Sequence, residues 1–278
     1  MNVTSVSTAF AKARAEGRAA LVGYLPAGFP TVDGGIAGVR AIVESGVDIV
    51  EVGFPYSDPV MDGPVIQRAT EVALARGVRA ADVLRTVSAV AEAGVPVVVM
   101  TYWNLVERYG RGRGVAAFAR DLMAAGGSGL ITPDLIPDEA QEWIEVSDEY
   151  GLDRVFLVAP SSTDARIAAT VAACRGFVYA SSVMGVTGAR EATSAVAPKL
   201  VARVRAAASG NLPVGVGLGV RDGAQAAEVA SYADGVIVGS ALVRCLLDAP
   251  DLDSGLAELR KLTADLAAGV RMAPHPAS

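Results

Sequence analysis

Val83-Leu-Arg-Thr-Val87-Ser-Ala-Val90-Ala-Glu92-Ala-Gly94-Val95-Pro-Val-Val-Val-Met100-Thr-Tyr102 reads as two elements joined at a glycine. Val83, Val87 and Val90 fall on one face of a 3.6-residue helix, and Gly94 stands where a helix C′ glycine is expected. The run Val95–Tyr102 is apolar without alternation. That is the mark of a parallel strand buried on both faces. The same unit recurs in both directions along the chain. Further strands are expected at Ala20–Leu25, Val47–Gly53, Ser128–Ile131, Arg154–Val158, Gly176–Ser181, Pro213–Gly217 and Gly235–Val238, which makes eight. Helical spacing returns in Val115, Phe118 and Leu122 and in Leu259, Leu262 and Leu266, and glycines close the helices before Val47 and Ser128. Eight strand–helix units on 278 residues predict a single (β/α)8 TIM barrel with extra helices, one over about Gly63–Arg76. One domain spans residues 1–278, with a mobile C-terminal tail over about 271–278. A doubly wound open sheet is the competing architecture, and it gives no reason for a count of eight.

Composition narrows the chemistry. Hydrophobic residues are 52% and charged residues 19%, enough for a large core, and the net charge is −6. Diffuse acidity argues against nucleic-acid binding, which needs a basic face. Cys174 and Cys245 are far apart with no CxxC, so neither a zinc ribbon nor a disulfide framework is expected. The single histidine, His275, sits in a Met-Ala-Pro-His-Pro tail, which leaves Ser-His-Asp and Cys-His mechanisms without their base. Acid–base work falls to carboxylates, tyrosines or lysines. Ala19–Leu25 is too short for a signal-peptide core, and Val95–Met100 is about a third of a membrane span. A cytoplasmic protein with no membrane contact is expected.

In a barrel, chemistry belongs at the C-terminal ends of strands. There the chain reads Asp48-Ile-Val-Glu51-Val-Gly53-Phe-Pro55-Tyr-Ser-Asp58-Pro59-Val-Met-Asp62-Gly63-Pro64. Glu51 lies inside an apolar strand, where a carboxylate is costly unless it is paired or used. Two readings stay open: an ion pair with a buried base, or a general acid or base of raised pKa. The loop that follows is proline-stiffened and carries Asp58 and Asp62, suited to holding a second carboxylate opposite the first. Capping or loop roles are the alternative for both aspartates.

Glycine-bearing loops follow the sixth, seventh and eighth strand candidates: Gly185-Val-Thr187-Gly188, Gly215-Val-Gly217-Leu-Gly219 and Gly239-Ser240. Barrels often bind phosphate with late loops and the N-terminus of a short helix, where backbone N–H groups and the dipole meet the anion. Gly239-Ser240 opening Ala241–Leu246 has that form. Gly215-x-Gly-x-Gly lacks the Rossmann spacing.

Taken in order, Pro26-Ala-Gly-Phe-Pro30, Glu51-Val-Gly-Phe-Pro-Tyr-Ser-Asp-Pro59, Asp62-Gly-Pro, Met100-Thr-Tyr-Trp-Asn104, Pro133-Asp-Leu135, Gly185-Val-Thr-Gly-Ala-Arg190 and Gly239-Ser240 resemble the tryptophan synthase alpha subunit family, from about residue 8 to 266. The resemblance implies a TIM barrel that cleaves indole-3-glycerol phosphate to indole and glyceraldehyde 3-phosphate. It implies a beta-subunit partner in an alpha2beta2 heterotetramer and no cofactor or metal on this chain. By the same resemblance Glu51 and Asp62 are the catalytic carboxylates, with Tyr179 close to Glu51. Thr187 touches the aspartate from a lid over Val183–Ala197. The indole pocket is lined by Tyr24, Ile66, Met100, Tyr102, Ile131, Leu218 and Ile237. Phosphate falls to Gly188, Gly219, Gly239 and Ser240. A partner face would include Pro55, Asp58, Pro59 and Asn104, with the loop near Pro133–Pro137. Tyr56, Met184 and Leu218 depart from the family's usual residues.

A retro-aldol cleavage suits these residue types: one carboxyl near neutral pKa can give a proton to indole C3 and then take one from the side-chain hydroxyl. A fixed anion beside the ring N–H steadies the developing cation. Alternatives are a stand-alone lyase on the same barrel, a catalytically silent activator of a beta subunit, and another phosphate-binding barrel such as a ribulose-phosphate epimerase. Intact Glu51 and Asp62 argue against the silent activator. The epimerases usually place metal-binding histidines in the barrel, and this chain has none there.

Overall fold

The computed structural model describes residues 5–181, 190–208 and 212–273. Nine strands are described: β1 (Ala20–Pro26), β2 (Ile49–Gly53), β3 (Val97–Met100), β4 (Gly129–Ile131), β5 (Asp153–Val155), β6 (Leu157–Val158), β7 (Val178–Ser181), β8 (Val214–Gly217) and β9 (Gly235–Val238). They form one sheet in the order β5-β4-β3-β2-β1-β9-β8-β7-β6, and every strand pairing in it is parallel. Its two ends, β5 and β6, are separated in the chain by Phe156 alone. The chain itself therefore closes the barrel.

Eight strands were expected, and the ninth arises because the Arg154–Val158 candidate is split. Phe156 is buried, its carbonyl accepts from the Tyr179 N–H at 3.2 Å, and its own N–H turns to Cys174 Sγ at 3.4 Å. That N–H leaves the ladder, and regular pairing stops for one residue. Both cysteines are free thiols.

Two apolar layers explain why the strands do not alternate. Inside the barrel, Val22, Ile49, Val98, Ile131, Val155, Phe177 and Ile237 pack together. Between sheet and helices, Val97, Val99 and Leu130 pack with Val83, Val87, Val90, Phe118 and Leu122. Both faces of each strand are dry, so both are apolar. The helix carrying Val83, Val87 and Val90 runs Ala80–Glu92, and Gly94 takes the left-handed conformation (φ 78°) that releases the chain into β3. The helix expected over Gly63–Arg76 spans Pro64–Ala75, with Pro64 at its first position, where a missing N–H costs nothing.

A helix at Val6–Ala15 plugs the N-terminal end of the barrel, its Phe10 ring 5.5 Å from Phe177. The opposite end, where all strands finish, is left open for a site. The last helix, Leu252–Met272, continues into the segment assigned to the tail, and His275 lies outside the described residues. Among the described residues no helix is long and apolar enough to cross a membrane.

Candidate active site

Glu51 is the central residue of β2, level with Tyr24 in β1 and Val98 in β3. Its side chain is buried, and Oε2 has no hydrogen-bond partner among the described residues. The ion-pair reading therefore fails. The buried arginine, Arg18, is already held by Asp48 through Nη1 and Nη2 at 2.7 and 2.8 Å, and by Glu16 through Nε. Burial, with the charge of Asp62 adding to it, pushes the Glu51 carboxyl up to about 8. Such a group keeps its proton at neutral pH and can deliver it.

Asp62 lies on the loop between β2 and the helix Pro64–Ala75. Gly63 is the N-cap of that helix, which has no side-chain cap bond, so the capping alternative for Asp62 is overturned. Its main chain does the local work instead: the N–H donates to the Pro59 carbonyl at 3.3 Å, and the carbonyl accepts from Gln67 Nε2 at 2.8 Å. The carboxylate is left to line the cavity, and partial burial raises its pKa to about 6. Asp58 is exposed and accepts from Ser57 Oγ at 2.5 Å. It caps no helix. Tyr102 Oη accepts the Met61 N–H at 2.9 Å, and the Tyr56 ring stacks on Tyr102 with centroids 5.1 Å apart. These contacts hold the loop over the barrel mouth.

The mouth opens into a cavity of about 1090 Å³. Glu51, Asp62, Tyr24, Ile66, Met100, Tyr179, Leu218 and Ile237 line it, as do Gly219, Gly239 and Ser240. Two expected pocket residues stand behind that wall. Tyr102 is spent on the loop, and Ile131 is enclosed within the barrel interior, one strand over from Met100. Thr187, Gly188 and Met184 lie outside the described residues. Among the proposed partner residues Asp58 and Asn104 are exposed and Pro59 is half-buried, but Pro55 is buried. Pro55 can stiffen that face only from beneath.

Sequence reading missed what two strand-end glycines do. A Cβ on Gly53 would run into Tyr24 Oη, and one on Gly217 would sit 2.5 Å from Tyr179 Oη. Each tyrosine lies across a neighbouring strand where only glycine leaves room. Burial holds both hydroxyls well above their usual pKa, with Glu51 and Asp62 adding to it, so the phenols stay neutral donors beside the two carboxyls. The missed signal was a glycine ending an apolar strand. Ser181, Arg221 and Arg244 also line the cavity and were not anticipated.

A closed parallel barrel with two raised carboxyls at its mouth and glycine loops across from them defines a class: a TIM-barrel enzyme of the acid–base kind. Residues 10–271 match the model of the family described as tryptophan synthase alpha chain. The tryptophan synthase alpha chain of Salinispora arenicola is 68% identical over 98% of this chain and all of that one. A structure of Mycobacterium tuberculosis tryptophan synthase superposes with a TM-score of 0.88 at 60% identity, covering 98% of this chain and 100% of that chain. A structure from Pyrococcus furiosus, described as a study of mutual activation of the tryptophan synthase a2b2 complex, superposes with a TM-score of 0.82 at 31% identity, over 91% and 99% of the two chains. The chain belongs to the tryptophan synthase alpha chain family.

Proposed function

We propose that Glu51 and Asp62 carry the reaction of this family, the retro-aldol cleavage of indole-3-glycerol phosphate to indole and glyceraldehyde 3-phosphate. The observation behind this reading is the buried Glu51 carboxyl, its Oε2 without a partner among the described residues, in one cavity with Asp62. Glu51 gives its proton to indole C3, forming the indolenine. The resulting carboxylate takes the proton of the hydroxyl next to the ring. The carbon–carbon bond then breaks, its electrons return to the ring, and the aldehyde leaves. Asp62, ionised, stands by the ring N–H while that nitrogen carries positive charge. Tyr24, Ile66, Met100, Leu218 and Ile237 enclose the indole. The N–H groups of Gly219, Gly239 and Ser240 meet the phosphate, at the start of the helix Ser240–Leu247. Thr187 and Gly188 belong to the same reading.

Protonation states give this mechanism a pH window. Glu51 must start protonated and Asp62 ionised, so kcat/KM is expected to follow a bell. It falls below about 6 as Asp62 gains a proton and above about 8 as Glu51 loses one. A rate still rising at pH 9 would remove Glu51 as the initial acid.

The chain acts as the alpha subunit of tryptophan synthase, with a beta subunit as partner and alpha2beta2 as the expected assembly. We assign the docking face to the loops after β2, β3 and β4. Val60 and Met61 there are 81% and 51% exposed, Ile136 is partly exposed on the β4 side, and Asn104 lies between, within 3.5 Å of Tyr56 Oη. Exposed apolar residues beside the Asp62 loop suit an interface that couples to the site. A single domain over residues 1–278 and a cytoplasmic location complete the proposal. Purified chain assayed with indole-3-glycerol phosphate is expected to turn over slowly, and strongly faster once a beta subunit from the same source is added. Full activity alone, with no gain on addition, would favour the stand-alone lyase.

A further inference from the structure

A phosphate monoester carries nearly two negative charges at neutral pH. The described loops read above as its site offer peptide dipoles and one hydroxyl, while the ionised Asp62 occupies the same cavity and Asp248 and Glu258 share its wall. Uncompensated, that arrangement would oppose entry of a dianion. Among the described residues the cavity wall carries two cations, Arg221 and Arg244, and both are at the phosphate end, one beyond Gly219 and the other one helical turn beyond Ser240.

The two are differently placed. Arg244 is already engaged, 3.9 Å from Asp248, and shares its wall with Asp248 and Glu258. The Arg221 guanidinium has no hydrogen-bond or ion-pair partner among the described residues. Its position is nonetheless held. Gly219 turns the chain with φ +72°, Val220 is buried, and Arg221, next in line, is exposed. The Arg221 N–H donates to Gln225 Oε1 at 3.0 Å, and the Asp222 carboxylate caps the following helix by accepting the Gln225 N–H at 2.8 Å. A backbone pinned on both sides beside an unpaired guanidinium is how a protein holds a charge in readiness for an anion.

We propose that Arg221 is a substrate-positioning residue that supplies the positive charge for the phosphate and draws the dianion onto the amides of Gly219, Gly239 and Ser240. This rests on the phosphate reading given above. Replacing it should weaken binding of anything that bears the phosphate and leave the indole half untouched. A charge-assisted bond at a partly wet site corresponds to roughly tenfold in affinity.

The test uses the full chain with its beta subunit and compares Arg221→Gln, Arg221→Lys and Arg244→Gln with the unmodified protein. Arg221→Gln is expected to raise KM for indole-3-glycerol phosphate, and the inhibition constant of inorganic phosphate, by roughly tenfold, with kcat within about twofold. Indole affinity should not change. Arg221→Lys should recover part of the loss, and added salt should narrow the gap between Arg221→Gln and the unmodified enzyme. An unchanged phosphate inhibition constant in Arg221→Gln, or a loss carried by Arg244→Gln instead, would overturn the proposal. Gly239→Val separates this from failure of the underlying reading. Its Cβ would enter beside Tyr24 and Ile66, 3.4 to 3.6 Å from both, and its methyls would crowd the anion. Phosphate that neither competes with substrate nor responds to Gly239→Val would place the anion elsewhere and take the Arg221 role with it. A response to Gly239→Val but not to Arg221→Gln would remove Arg221 alone.

Discussion

A Glu51→Gln enzyme is expected to lose cleavage of indole-3-glycerol phosphate by about 10⁴-fold or more, because each of the two proton transfers assigned to this side chain contributes about 10²–10⁴. Gln is nearly isosteric with Glu but has no proton to exchange, so KM should change little while kcat collapses. Stability supplies an independent control. The Glu51 pKa is raised in the folded chain from 4.5 to about 8. The folded state therefore binds the extra proton between those values. The stability this gives is full below the unfolded pKa and is lost as pH rises through the folded one. Gln cannot ionise, so the variant should melt higher than the parent above pH 8 and show a flatter dependence of melting temperature on pH. An inactive variant that keeps or gains alkaline stability is folded, and its defect is chemical. Substantial turnover by Glu51→Gln would sink the assignment.

The barrel was legible because parallel strands wrapped by helices must be dry on both sides, and unbroken apolar runs such as Val95–Met100 fit few architectures besides that one. The same property hid the depth of side chains at the mouth. When every strand position is apolar, periodicity cannot tell Met100, which reaches the cavity, from Ile131, which pairs with it and stays enclosed. Glu51 stood out as a charge inside an apolar strand. That no base among the described residues answers it was not legible, since this depends on Arg18 being claimed by Asp48 through contacts 30 residues apart. The split of the fifth strand turns on a single N–H finding Cys174 instead of the ladder, and no local pattern encodes such a choice. The glycines under Tyr24 and Tyr179 were also opaque. A glycine at a strand end suggests a turn, and here it makes room for a phenol from the next strand. Arg221 carries no sequence signal of its own, and only the reach of the cavity along its wall sets it apart from other surface arginines.

Asp62→Asn is expected to be the next most damaging change after Glu51→Gln, costing on the order of 10²–10³ in kcat, the range seen when one preorganised group facing developing charge is removed. The amide keeps the shape of the side chain, and the main-chain bonds to Pro59 and Gln67 do not involve the carboxylate, so the loop should stay where it is. What disappears is a negative charge beside the indole nitrogen at the moment that nitrogen turns cationic. Ground-state binding of indole needs no such charge, and the loss should appear in kcat more than in KM. A second consequence follows from the coupling between the two carboxyls. Asp62 is one of the two causes that raise the Glu51 pKa, burial being the larger. Without the neighbouring charge, Glu51 should titrate lower, and the alkaline limb of the pH profile should move toward neutrality while staying above the range of a free glutamate. The acid limb, which belongs to Asp62, should vanish. A merely structural role for Asp62 predicts neither change. If the variant kept most of its activity and an unaltered bell, Asp62 would be a residue that shapes the loop, and the cation on the indole nitrogen would need another partner.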